Sequence, residues 1–305
     1  MSESGSQSSS RTGGEAVQPA FGDRPVLVVG ATGRIGGHVV EELLRRRVSV
    51  RALTRNADAV RLPAGAEVVF GDLGEPASLG SALCGVGAVF VVWTAPLADA
   101  APAIDRIAAA APSRIVFLGA PHRTPHPFFQ QPNPMRTMHV ELERLFAASG
   151  VPTTILRPGM LASNAIDWWG QQIRQGDIVR WPYGAVETSP IDERDLASVA
   201  AKVLIDGRHD GGDYVLTGPA SLSQVAQVAA IGDAIGRAIR FDELSPEEFR
   251  RTNGWPPAVT DMLLDAWGAA VGLPAHLTST VAELTGAPAR TFAQWATDNT
   301  SAFTA

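Results

Sequence analysis

The chain has 305 residues, 45% of them hydrophobic, and its 25 basic against 31 acidic side chains leave a net charge of −6. This allows one large or two modest domains with a substantial core, and the acidic balance with scattered basic residues argues against a nucleic-acid partner. One cysteine excludes an internal disulfide, and no uninterrupted apolar stretch approaches the ~18 residues of a membrane helix; a cytoplasmic protein with a small-molecule substrate and no membrane partner is expected.

Residues 1–22 are rich in Ser, Gly and Thr without periodicity and read as a disordered tail. An apolar strand over Val26–Val29 then runs into Gly30, Gly33 and Gly36, spaced G-x-x-G-x-x-G with Thr32, Arg34 and Ile35 between them. Gly30 allows a tight turn, Gly33 lets a phosphate approach bare backbone, and Gly36 lets the next helix pack on the sheet. That helix, beginning near Arg34, would point its free N–H groups and positive dipole end at a pyrophosphate.

A second strand, Val48 to Thr54, ends where an acidic residue would bind a ribose 2′-OH and an arginine a 2′-phosphate. Thr54 and Arg55 stand there, with Arg34 as a second clamp, so NADP(H) is expected in preference to NAD(H). Asp58, just beyond, keeps NAD open. A third strand, Ala66 to Phe70, closes on Gly71-Asp72-Leu73; Asp72 or the Leu73 backbone could meet an adenine edge, or Asp72 could cap the helix at Pro76. Cys84 falls among Leu79, Leu83 and Val86 and reads as a small core residue.

The continuously apolar run Ala88 to Trp93 suits a central parallel strand leaving at Thr94. After a helix at Ala100 to Ala111, Arg114 to Leu118 is a fifth strand. It opens into a proline-rich loop, 119–134, holding His122 and His126; the prolines forbid the helix that would aim this histidine pair at a metal, and no metal is expected. A helix from Met135 to Ser149 carries His139 and Glu143 four apart, and a sixth strand ends at Pro158-Gly159. Strand and helix alternate as in a doubly wound parallel α/β sheet.

These residues resemble atypical short-chain dehydrogenase/reductase proteins of the NmrA-like, NAD(P)-binding kind. The match rests on the glycine loop, on Val50 to Arg55, Gly71-Asp72-Leu73, Ser149 to Pro152 and Thr154 to Gly159, and later on Tyr214 to Pro219 and Phe292 to Ala296. The resemblance implies a Rossmann-like domain over 23–158 and a smaller, mainly helical substrate lobe over 159–305 that partly packs back on the sheet. It also implies a dinucleotide across the strand ends, reaching Thr94, Ala120 and Pro158. The main-line Ser and Tyr-x-x-x-Lys machinery is missing. The fifth strand exits as Gly119-Ala120-Pro121, Met135 stands at the tyrosine position, and His139 occupies the place of the lysine.

His139, oriented by Glu143, is therefore the candidate acid/base. Met135, Met160, Asn164, Trp168 and Trp169 are candidate substrate contacts, although paired tryptophans also suit a core. Asp192 and Asp195 read as caps of a late helix. The expected function is an NADP(H)-dependent reductase of a small, partly apolar carbonyl, enone or quinone-like molecule. A nucleotide-binding sensor without turnover, or a non-redox isomerase or cyclase, would use the same fold.

Overall fold

The computed structural model describes residues 19–55 and 62–304. The expectations placed on residues 1–18, the turn at Asn56 and Asp58 lie outside the described residues. The first half alternates β1 (Val26–Val29), α1 (Arg34–Arg45), β2 (Val50–Thr54), β3 (Glu67–Phe70), α2 (Gly80–Leu83), β4 (Ala88–Val91), α3 (Ala100–Ala109), β5 (Arg114–Leu118), α4 (Pro127–Gln130), α5 (Pro134–Ala148) and β6 (Thr153–Pro158). The second half carries α6 (Gln171–Gln175), β7 (Ile178–Trp181), β8 (Glu187–Thr188), α7 (Glu193–Ile205), β9 (Asp213–Leu216), β10 (Leu222–Ser223), α8 (Gln224–Ile235), β11 (Arg240–Glu243) and α9 (Pro246–Thr252). The helices α10 (Pro257–Ala269), α11 (Thr280–Thr285) and α12 (Phe292–Asp298) complete it.

Seven strands form one parallel sheet in the order β3-β2-β1-β4-β5-β6-β9. The order reverses between β1 and β4, where open α/β sheets open a crevice at the strand C-termini. β1 and β4 are buried along their whole length, because helices cover both faces: Val39 and Leu43 of α1 with Leu196 and Val203 of α7 on one, Ile104 of α3 with Leu142 and Phe146 of α5 on the other. The chain thus returns to the sheet after its sixth strand, and β9 and α7 belong to the sheet and its covering helices although they lie beyond Pro158.

The rest packs around a third core of aromatic rings. Trp169, Trp181, Trp267 and Phe249 are buried there, and the rings of Trp168 and Trp181 stack with centroids 6.0 Å apart. Two small pairings brace this lobe, β7 with β11 in parallel and β8 with β10 antiparallel. Ser245 and Glu248 close the capping box that starts α9.

Four sequence expectations are corrected here. The end of the supposed tail belongs to the fold: Phe21 is buried against the first core, and a Cβ added to Gly87 would come within 2.3 Å of its ring. Cys84 is exposed: it stands as the C-cap of α2, and its carbonyl accepts a 2.7 Å surface bond from Arg51 Nη1. Asp192 caps α7 through the Arg194 amide, but Asp195 faces Arg290, accepting from its backbone N–H at 2.6 Å and from its guanidinium. The loop after β5 does hold a helical turn, α4, started by Pro127 and by His126 Nδ1 accepting from the Phe128 amide.

Candidate functional site

Two cavities meet at the C-terminal ends of the parallel strands. The first, of about 380 Å³, is lined by the glycine loop, by Thr54 and Arg55 ending β2, by Asp72 and Leu73 after β3, and by Thr94 after β4. Leu161, Ser163 and Asn164 of the second lobe close it. Gly30 has φ +81°, a conformation that suits glycine, and a Cβ on Gly36 would sit 2.1 Å from the Gly30 carbonyl oxygen. Helix α1 begins at Arg34 with Gly33 as its N-cap and no side-chain cap, so its first amides stay open to an anion. The buried Ser163 hydroxyl has no hydrogen-bond partner among the described residues. A bare backbone cradle, an uncapped helix start and an unmatched hydroxyl fit a dinucleotide.

Eleven of the sequence-predicted cofactor residues line this cleft: Gly30, Thr32, Gly33, Arg34, Ile35, Gly36, Thr54, Arg55, Asp72, Leu73 and Thr94. Ala120 lines the neighbouring cavity instead, and Pro158 lines neither. Arg55 is exposed and has no ion pair among the described residues. Arg34 is already engaged: its guanidinium holds Asp167 with bonds of 2.6 and 2.7 Å, tying the glycine loop to the π-helical turn Ile166–Gly170 of the other lobe. Asp72 does not cap the helical turn at Pro76. Its carboxylate accepts from the Gly74 amide at 2.9 Å and shapes the loop at the cleft.

The second cavity, of about 330 Å³, adjoins the first at Asn164, which lines both. The 119–134 loop supplies one wall with Ala120, His122 and Phe128; Met160 and Trp168 supply another, and Met262 and Leu263 of α10 close it. Arg136, at the start of α5, also reaches the lining. Of the predicted substrate contacts, Met160, Asn164 and Trp168 are brought together here. Met135 points to solvent, 48% exposed, and Trp169 is wholly buried in the aromatic core; neighbouring residues on a helical turn face opposite ways.

His139 is not on either cavity wall. Its Nδ1 donates to the Met135 carbonyl at 2.7 Å, and its ring lies against Phe117. Glu143 does not orient it. Both carboxylate oxygens of Glu143 receive the buried Arg157 guanidinium, at 2.7 and 2.8 Å. Arg157 also reaches Asp213 at 2.5 and 3.0 Å and the Ala120 carbonyl at 2.7 Å, and exposed Arg123 borders the same two acids. Charges removed from water need this degree of pairing.

His122 sits beside that network, with Nδ1 3.5 Å from Arg157 Nη1 and 3.8 Å from Glu143. Arg157 Nη1 already gives its two hydrogens to Glu143 and the Ala120 carbonyl, so Nδ1 lies beside the guanidinium without a hydrogen of its own to accept. Burial pushes the His122 pKa below the ordinary imidazole value, Glu143 pulls it back in part, and Arg157, Arg123 and Arg136 add to the fall. Burial thus favours the neutral ring in the cavity wall. In the sequence, His122 offers only its spacing from His126 as a signal, and Arg157 and Asp213 lie 56 positions apart with nothing local to join them.

Residues 30–206 match the family model described as NAD(P)H-binding. The chain is 34% identical over 287 residues to the (4-alkanoyl-5-oxo-2,5-dihydrofuran-3-yl)methyl phosphate reductase of Streptomyces griseus, covering 91% of this chain and 99% of that protein. It is 33% identical to the NAD(P)H azoreductase of Xenophilus azovorans, again over 91% and 99% of the two chains. Among solved structures, the NADPH complex of the NADPH-dependent quinone oxidoreductase QOR2 of Escherichia coli superposes with a TM-score of 0.74 at 25% identity, covering 90% of this chain and 99% of that one. The chain belongs to the NAD(P)H-binding family, within the NmrA-like, atypical short-chain dehydrogenase/reductase group. It is an oxidoreductase.

Proposed function

We propose that the protein is an NADP(H)-dependent reductase of a small, partly apolar carbonyl, enone or quinone-like acceptor. The observation that carries this reading is the junction at Asn164, where a cleft built for a dinucleotide opens into an apolar cavity with few polar groups. A dinucleotide laid along the strand ends from the glycine loop would bring its far end to that junction. Relatives whose names specify reduction of an azo compound, a quinone and a substituted dihydrofuranone support the same class of chemistry.

The chain's own residues divide the work. Gly30, Gly33 and the start of α1 cradle the pyrophosphate, and Arg55 meets the 2′-phosphate that separates NADPH from NADH. Bound NADPH would supply hydride. Met160 and Trp168 hold the acceptor by apolar contact, and the one N–H of the neutral His122 ring donates a hydrogen bond to its carbonyl oxygen. The His122 N–H meets the negative charge that would build on that oxygen, and water can supply the proton that completes the product. A conjugated acceptor spreads this charge, so the step proceeds without a tyrosine–lysine pair; a neutral histidine can polarise such a carbonyl.

The test is loss of reduced-nicotinamide absorbance against a panel of enones, quinones and azo compounds. Turnover that requires both acceptor and NADPH is expected. Cofactor binding with no turnover across the panel would favour a sensor, and product formed without cofactor consumption would favour an isomerase. For the cofactor, NADPH should bind more tightly than NADH to the wild type, and Arg55→Ala should erase most of that difference; equal binding in both proteins overturns the assignment.

A further inference from the structure

The cavity wall carries a charge that the reading so far leaves unused. Among the residues lining the second cavity there is no aspartate or glutamate, and Arg136 is the one side chain with a full charge. The other arginines around the loop and α5 are matched: Arg157 and Arg123 share Glu143 and Asp213, and Arg144 holds Glu141 at 2.7 Å. Arg136 has no hydrogen bond or ion pair from its guanidinium among the described residues. Only its backbone is engaged, the amide donating to the Asn133 carbonyl at 3.0 Å.

An unpaired guanidinium that is half-buried in a cavity loses hydration without recovering it from the protein. An oxyanion in the cavity would recover it, through the planar fork that suits carboxylate and phosphate groups. The surroundings agree. Asn133 and Gln131 bring further polar groups to the same segment of wall, whereas Met160, Trp168 and Leu263 make the facing walls apolar. Arg136 also lies in the first turn of a 15-residue helix, whose dipole favours negative charge there.

We propose that Arg136 forms an anion subsite of the substrate cavity, so that the preferred acceptor carries a carboxylate or phosphate on an otherwise apolar frame. Arg136 then fixes orientation: with the anion held at the start of α5, the reducible end of the molecule is directed toward the Asn164 junction. The proposal rests on the reductase reading for the purpose of the cavity, and on the cavity alone for the binding.

Two probes separate these, a 1,4-naphthoquinone bearing a propanoate side chain and its methyl ester. Turnover with NADPH is measured for both, and their equilibrium binding is followed separately by quenching of tryptophan fluorescence, since Trp168 lines the cavity. The wild type should prefer the acid in kcat/KM and in Kd. In Arg136→Met the acid-to-ester preference should fall about 10- to 100-fold, the loss of one charge-assisted bond, and Arg136→Lys should restore part of it. If neither probe turns over while the acid still binds better and Arg136→Met removes that preference, the reductase reading fails and the anion subsite stands. A wild type indifferent to the charge, or an acid-to-ester ratio unmoved in a folded Arg136→Met protein, overturns the subsite. An Arg136→Met chain that does not fold leaves Arg136→Glu and the wild-type ratio to decide: the ratio should fall below that of Arg136→Lys in Arg136→Glu, and a wild-type ratio of about one defeats the proposal by itself.

Discussion

Arg157 commits every N–H of its guanidinium to a partner: two carboxylates and the Ala120 carbonyl. The Arg157→Met variant would leave Glu143 and Asp213 with exposed Arg123 in place of their buried cation, and urea unfolding should report a loss of about 3–5 kcal/mol. Removing one acid as well, in Arg157→Met with Glu143→Gln, should recover part of it; a double variant no more stable than the single would show that packing, not charge, is responsible. His122 gives a pH signature. Its pKa in the folded protein lies below its unfolded value because burial penalises the charged ring, so the unfolded chain binds the proton more readily. Stability from this group is present above about pH 6.5 and is lost as pH falls from there toward the folded pKa. In His122→Gln the decline of the urea midpoint between about pH 7 and pH 5 should be shallower. His139, off the cavity walls and hydrogen-bonded to its own helix, should tolerate Gln with kcat/KM for NADPH-dependent reduction changed by less than about threefold; a lost limb of the pH–rate profile would return it to the reaction as acid or base.

The glycine loop and the start of α1 act as one element. A methyl group at position 36 cannot coexist with the Gly30 carbonyl oxygen 2.1 Å away, so Gly36→Ala must push the helix off the loop. NADPH affinity should drop by at least about tenfold, read by fluorescence titration, since the displaced amides no longer converge on the phosphates; unchanged affinity would mean that the loop is not the cradle. This element was legible in the sequence because its signal is local: an apolar strand, three glycines and an amphipathic helix within twenty residues. The parallel strands were legible for the same reason, with ends off by one or two residues where the ladder weakens before the apolar run ends: beyond β4 the Val92 amide still reaches the Val29 carbonyl, at 3.3 Å. The 119–134 loop was not legible in this way. Its prolines predict an excursion, but only contact with Met160, Trp168 and α10 turns that excursion into a cavity wall.

At the scale of the whole molecule, the dinucleotide cleft joins two parts of the chain. The sheet contributes the glycine loop and strand ends, the second lobe contributes Leu161, Ser163 and Asn164, and the Arg34–Asp167 pair spans the same gap. A ligand bound across this seam stabilises both sides together, so saturating NADPH at about 100 times Kd should add about 2.7 kcal/mol and raise a single thermal transition. A split into two transitions, only one of them shifted, would show that the lobes unfold independently. No helix among the described residues is long and apolar enough to cross a membrane.

The sequence by itself determined the α/β alternation, the glycine loop and the position of Arg55 at the end of β2, because each is written in the type and spacing of nearby residues. It could not assign His139, Glu143 and His122 to their partners. Glu143 lies four residues from His139, the distance that pairs side chains on a helix, yet the buried Arg157 is both closer to its carboxylate and charged, and so takes it. Arg157, Asp213 and His122 come from three segments that only the parallel sheet and its loop bring together. The tertiary structure therefore decided which histidine lines the cavity and which arginine there has no ion pair among the described residues, since both depend on burial and on neighbours far apart in the chain.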